Sequence, residues 1–165
     1  MVSESGRNDG LTLEKAAKQF YMVDVNGLIT KDRKDYLPFQ EIFAHARDDL
    51  PDGMNLQRLI EKVKPDMLIG LTGVGGTFQE DHIRTMAKYC DRPIIFPCSN
   101  PTSRAECSAE QVCEWTGGRG IFASGSPFSP FKYGTRKIHP SQSNNMYIFP
   151  GLGQGVVISK SRVVN

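Results

Sequence analysis

Apolar positions along the chain fall into two patterns, short continuous runs and stripes spaced three or four residues apart. The runs predict strands. Phe20-Tyr21-Met22-Val23 reads as a buried strand ending at Asp24, with Asn26-Gly27 as the turn after it. Asp66 to Leu71, Pro93-Ile94-Ile95-Phe96 and Gly120-Ile121-Phe122-Ala123 read as three more. The stripes predict helices. Leu13 to Gln19 is a run of good helix formers behind Thr12 as cap. Asn55 caps a segment whose Leu56, Leu59, Ile60 and Val63 share one face, and Pro65 stops it. Thr77-Phe78-Gln79-Glu80 and Ser108-Ala109-Glu110-Gln111 have the spacing of capping boxes. Phe78, Ile83, Met86 and Ala87 form the apolar side of the first of these helices; Val112 and Trp115 belong to the second.

Continuous apolar strands alternating with helices predict a parallel sheet covered on both faces. The expected fold class is α/β, a Rossmann-like doubly wound sheet, incomplete at both ends. The first helix has no strand before it, and Ile158 to Asn165 reads as a helix that has only begun. Residues 1–9 are polar and are expected to be a disordered start, and residues 10–165 a partial dinucleotide-binding domain.

Composition narrows the function classes. The 165 residues are 39% apolar and 23% charged, an ordinary globular balance. Twenty Lys and Arg stand against 18 Asp and Glu, and the basic residues are scattered, which argues against a nucleic-acid partner. No apolar run is long enough to span a bilayer, and the start has no apolar signal-peptide core, so no membrane association is expected. Cys90, Cys98, Cys107 and Cys113 form no C-x-x-C pair and are expected to be reduced thiols in the cytoplasm or the mitochondrial matrix.

In an open parallel sheet, ligands bind beyond the carboxyl ends of the strands, and four loops fall there. Asp24 closes an early strand, where a carboxylate can accept from ribose hydroxyls or simply cap a turn. Thr72-Gly73-Val74-Gly75-Gly76 brings backbone amides toward a phosphate or ribose, or is a tight turn that needs positive φ. Ser99-Asn100-Pro101-Thr102 offers an uncharged amide to a ligand, or an Asx turn. Ser143-Asn144-Asn145 places two amides beside an apolar run, where burial calls for a ligand or a polar network. No Walker loop, G-x-S-x-G or H-E-x-x-H is present. His45 and His82 fall on predicted helices, His139 in a Pro/Ser-rich loop, and none has an evident catalytic partner. Ser124 and Ser126 read as turn formers.

In this order the loops resemble the C-terminal, dinucleotide-binding part of malic enzyme. The stretches that carry the resemblance are GLTLEKAAKQFYMVDVNGLITKDR (10–33), PDMLIGLTGVGGTF (65–78), RPIIFPCSNPTSRAE (92–106), GRGIFASGSPF (118–128) and SQSNNMYIFPGLGQG (141–155). The resemblance implies oxidative decarboxylation of malate to pyruvate with reduction of NAD or NADP, assisted in the complete enzyme by Mg or Mn. It implies that Asp24 holds the adenosine ribose, that Thr72, Gly73 and Val74 line the ribose and pyrophosphate, and that Asn100 meets both the nicotinamide ribose and the substrate. Asn144 would touch the nicotinamide end and Asn145 the malate carboxylate. The family is commonly homo-oligomeric.

The departures concern activity. The family's catalytic tyrosine and lysine, its arginine, its metal carboxylates and its glycine-rich pyrophosphate loop are expected upstream of this chain. No catalytic or metal-ligating residue is therefore assigned, and the chain alone is expected to be inactive. Ser141 and Ser143 stand at positions of the family's G-Q-G-N-N, and Cys98 replaces a larger apolar residue. Val25 after Asp24 offers no cation, and Gln40 falls where NADP-preferring members place a lysine, which favours NAD over NADP; Lys31, Arg33 and Lys34 lie close by. The alternative to a piece of a working malic enzyme is a non-catalytic nucleotide-binding or subunit-interaction module derived from one.

Overall fold

The computed structural model describes residues 10–46 and 48–161, so the expected disordered start at 1–9 and the last four residues lie outside the described residues. The chain divides into two compact units, Met1–Pro65 and Asp66–Asn165.

The first unit departs most from expectation. Helix α1 (Leu13–Ala17) is capped by the Thr12 side chain, which accepts from Lys15 N–H, and it buries Ala16 and Ala17. The apolar run after it is not a buried strand. β1 is only Val23–Asp24, exposed, and pairs antiparallel with β2 (Gly27–Leu28) in a tight hairpin. The turn falls at Val25-Asn26, one residue before the expected Asn26-Gly27, and folds the chain back before a longer strand can extend; Gly27 opens β2 at φ +97°. His45 lies on no helix. It forms a parallel bridge with Thr30, stacks on Tyr21 at 4.2 Å and sets Nε2 2.7 Å from the Phe20 carbonyl oxygen, buried throughout. Helix α2 (Leu56–Val63) follows the predicted stripe, capped by Asn55, and ends at a left-handed Lys64. Its Leu59 packs with Leu28 and Leu50 as the core of the unit.

The second unit is the predicted α/β body. β3 (Met67–Gly70), β4 (Ile94–Pro97), β5 (Ile121–Ser124) and β8 (Ser141–Gln142) form one parallel sheet in that order. The register aligns Met67 with Ile94 and Ile121, and Leu68 with Ile95 and Phe122. Adjacent side chains point to opposite faces. The Ile95 row is therefore the buried one, beneath α3 (Glu80–Tyr89) and α4 (Ala109–Trp115), which bury Ile83, Met86 and Val112. Met67, Ile69 and Ile121 are exposed, so within this unit the strands are not covered equally on both faces as expected.

Two helix starts behave differently. Ser108 and Gln111 make the predicted reciprocal cap of α4. Thr77 does not cap α3, because its hydroxyl donates to Val74 O at 2.7 Å; the helix begins two residues later, where His82 Nδ1 accepts from Gln79 N–H. The crossover from β5 to β8 is an antiparallel hairpin, β6 (Phe131–Tyr133) with β7 (Arg136–Ile138). Helix α5 runs Phe149–Ser159 and closes on a left-handed Lys160, so the segment read as a helix beginning near Ile158 is a helix ending there. Pro150 in its first turn has no amide to leave unpaired.

Candidate functional site

The carboxyl ends of β3, β4, β5 and β8 carry the loops in which six of the seven site residues named from sequence stand, all but Asp24. Backbone hydrogen bonding continues past the strand ends: Cys98 N–H donates to Gly70 O, Gly125 N–H to Pro97 O, and Ser143 N–H to Ser124 O. Each loop is thus locked to its neighbour before any side chain is counted.

Asn100 and Asn144 meet around one glycine. Gly125 O accepts from Asn144 Nδ2 at 2.8 Å and from Gln142 Nε2 at 3.1 Å. Asn100 Oδ1 accepts from the Ser126 hydroxyl at 2.5 Å, and its Nδ2 donates to Cys98 O. The Ser124 hydroxyl donates to Ser126 O, the turn-forming role expected of it. Asn144 also caps the short 3-10 turn Asn145–Tyr147 by accepting from Met146 N–H. Asn145 stands at the start of that turn, exposed, so the pair is not a buried amide pair as the apolar neighbours suggested. Gln142 accepts from the Tyr147 hydroxyl at 2.9 Å, which ties the turn back to β8.

On the β3 side the glycine loop is organised by a residue the sequence reading did not select. Glu106 is fully buried. Its Oε1 accepts from Thr72 N–H and from the Thr72 hydroxyl, each at 2.8 Å, and from the Ser99 hydroxyl at 2.5 Å. Ser99 Oγ accepts in turn from Gly73 N–H at 2.8 Å, and Thr72 Oγ1 from Val74 N–H at 3.1 Å. Burial pushes the Glu106 pKa up, but the hydrogen bonds from Ser99 and Thr72 outweigh it and hold the carboxyl below the usual glutamate range. The only sequence signal was a lone carboxylate between Ala105 and Cys107, inside the SNPT-x-x-AE stretch. Beside it the Cys107 thiol is pushed up to about 12 by burial and by the Glu106 charge, an inert position.

Amides 72–74 all end on protein oxygens. Gly73 at φ +70° has nothing within 4 Å of where a Cβ would lie, so its glycine serves the turn. Open backbone at Gly73 and exposed side chains at Val74 and Asn100 leave room above the strand ends for an extended ligand.

Asp24 belongs to the first unit and is described there alone. Its Oδ1 accepts from Asn26 N–H, and its Oδ2 pairs with Arg33 Nη1 at 2.7 Å. Burial raises its pKa, and the Arg33 and Asn26 bonds bring the net value below the ordinary aspartate range. Arg33, itself buried, bonds Asp52 and the carbonyl oxygens of residues 26–28 as well, so it is not the free cation near the ribose that its position suggested. Gln40 accepts from Leu37 N–H and caps a 3-10 turn. Lys31 and Lys34 remain exposed.

Parallel strands ending in amide and glycine loops suit many dinucleotide enzymes, and comparison with known proteins narrows the choice. The family profile described as "Malic enzyme, NAD binding domain" matches residues 1–165. The chain belongs to the malic enzyme family. An "NADP-dependent malic enzyme" of Dictyostelium discoideum is 47% identical over 156 residues, 94% of this chain and 28% of that protein. One from Homo sapiens is 47% identical over 150 residues, 90% of this chain and 26% of that protein. A "Malic enzyme, hydrogenosomal" of Neocallimastix frontalis is 45% identical over 153 residues, 93% of this chain and 26% of its own length. The chain spans about a quarter of the length of these malic enzymes. It is the NAD(P)-binding domain of that family by sequence, with the Rossmann-like α/β sheet described above. The NADP-dependent relatives do not support the preference for NAD drawn from Val25 and Gln40. Among the described residues no three His, Cys, Asp or Glu side chains converge on a metal position. The residues described here do not fit the divalent metal of the malic enzyme reaction. No helix of the described residues is long and apolar enough to cross a membrane.

Proposed function

We propose that this chain supplies the NADP-binding part of a malic enzyme that converts malate to pyruvate and carbon dioxide. The observation that carries the reading is the locking of Thr72, Gly73, Val74, Asn100 and Asn144 onto one row of parallel strand ends. NADP is favoured over NAD by the names of the relatives and by the exposed Lys31 and Lys34, which flank the Arg33 that bonds Asp24. When bound, the nicotinamide accepts hydride from C2 of malate. The residues of this chain orient the partners: Asn100 holds the nicotinamide ribose and the substrate, Asn144 the nicotinamide end, and Asn145 the malate carboxylate. Asp24 holds the adenosine ribose. Amides suit this work because they donate and accept without adding charge beside a carboxylate. Proton transfer and decarboxylation are not assigned to any residue here.

A homo-oligomer is proposed, as is residence in the cytoplasm or mitochondrial matrix, which suits four free thiols. The second reading, a non-catalytic module that joins another subunit, is favoured by the exposure of Ile148 just before α5 and of Phe149, Val157 and Ile158 along it.

Calorimetric titration of the purified chain tests the first reading. NADP is expected to bind more tightly than NAD, and Asn100→Ala to weaken NADP about tenfold, the worth of one or two hydrogen bonds. Malate with Mn is expected to give no NADP reduction by the chain alone. Absence of any dinucleotide binding would overturn the reading, and malate-dependent turnover would overturn the limit placed on this chain.

A further inference from the structure

We propose that Glu106 is the positioning residue of this site: its buried carboxylate sets the direction of the Thr72 and Ser99 hydroxyl hydrogens and thereby holds the 72–74 loop against the Asn100 loop. The inference rests on the dinucleotide reading above. An ionised carboxylate can only accept. Both hydroxyls that touch Glu106 Oε1 must therefore donate to it, which leaves each of them only lone pairs to offer elsewhere. Those lone pairs face Gly73 N–H and Val74 N–H. Thr72 N–H goes to the carboxylate directly, and Ser99 N–H lies 3.4 Å from Oε2. Three successive loop amides thus end on oxygens whose charge or orientation comes from one side chain.

The surrounding chain is shaped to admit that group. A Cβ on Gly70 would lie 2.4 Å from Glu106 Cδ, so the last residue of β3 leaves space that the carboxylate fills. The charge matters as well as the shape. A carboxamide with its oxygen at the Oε1 position still receives Thr72 N–H and both hydroxyls, but without the charge that strengthens those bonds, and its NH2 is then set against Ser99 N–H. With its amides committed, the loop meets a ligand as a wall of fixed position beside Asn100, not as a mobile phosphate cradle. The adenosine ribose is assigned to Asp24, whose side chain bonds Asn26 N–H and Arg33.

The test compares the full 165-residue chain with Glu106→Gln and Ser99→Ala by amide hydrogen exchange and by titration with NADP and with 2′,5′-ADP. In Glu106→Gln, the Gly73 and Val74 amides are expected to exchange at least about tenfold faster while those of α3 are unchanged. NADP is expected to bind about tenfold more weakly and 2′,5′-ADP as before. Ser99→Ala keeps the carboxylate and is expected to release Gly73 while Val74 stays protected, so the idea remains testable if the glutamine variant fails to fold. Unchanged exchange at Gly73 and Val74, or equal loss of both ligands with faster exchange everywhere, would overturn the positioning role. Failure of the unsubstituted chain to bind NADP would instead overturn the dinucleotide reading and the role that depends on it, whereas full NADP affinity in Glu106→Gln overturns the role alone.

Discussion

Gly125→Ala is expected to destabilise the second unit by about 3 kcal/mol, the upper part of the range for a residue forced into a closed space. A Cβ at this position would lie 2.2 Å from the Cys98 carbonyl oxygen and 2.9 Å from Asn100 Nδ2. The neighbour it meets is mostly backbone, so no side-chain rotation relieves the clash. Nor can β5 retreat from β4, because Gly125 N–H donates to Pro97 O and Gly125 O receives both Asn144 and Gln142. Whichever bond gives way, Asn100 or Asn144 is displaced, so NADP affinity should fall together with stability. Urea unfolding and dinucleotide titration of the variant check both effects. Gly151→Ala in α5 is the control: a Cβ there meets nothing within 4 Å, and alanine should leave stability unchanged or raise it by up to about 1 kcal/mol. A Gly125→Ala chain as stable as the control would show that the strands can separate without cost.

Arg33→Met is expected to cost the first unit about 3 kcal/mol, as for breaking a buried ion pair by removing one partner. The guanidinium joins Asp24 at 2.7 Å to Asp52 at 3.0 Å and satisfies backbone carbonyls of the hairpin turn, while its own side chain is 4% exposed. Methionine fills the volume and supplies none of these donors. The substitution also changes the response to acid. Asp24 is held below its ordinary value, so its contribution is complete above about pH 4, the unfolded aspartate value, and is lost as pH falls through the lower folded value. Without Arg33 only the Asn26 N–H bond is left to lower the Asp24 value, and most of that contribution is lost. Stability of the natural chain should fall more steeply below pH 4 than that of Arg33→Met, which denaturant melts at pH 3 to 7 would measure. Parallel acid limbs for the two chains would show that the Arg33–Asp24 pair adds nothing to the fold.

Helices and strands were legible where one local pattern had one local solution. Ile94 to Pro97 is apolar throughout and occupies a sheet interior; Leu56, Leu59, Ile60 and Val63 can share a side only on a helix. The first strand failed because Phe20 to Val23 has the same composition as a buried strand, yet Val25-Asn26 turns the chain back after two paired residues. His45 and Thr77 failed for a related reason: local spacing placed each on or before a helix, while another backbone group claimed the side chain first, the distant Phe20 carbonyl for His45 and the Val74 carbonyl three residues back for Thr77.

The loop residues divide in the same way. Asn100, Asn144 and Thr72 were legible as amides, hydroxyls and glycines following apolar runs, and the order of the motifs carried the family. The sequence by itself determined the α/β class, the family and which loops follow the strands, because these depend on composition and order along the chain. Only the tertiary structure decided that Glu106, 34 residues from Thr72, holds the glycine loop, and that Gly125 must have no side chain. Both depend on distances between β3, β4 and β5 that hydrogen-bonded register sets, and no local pattern carries information about a neighbour a sheet spacing away.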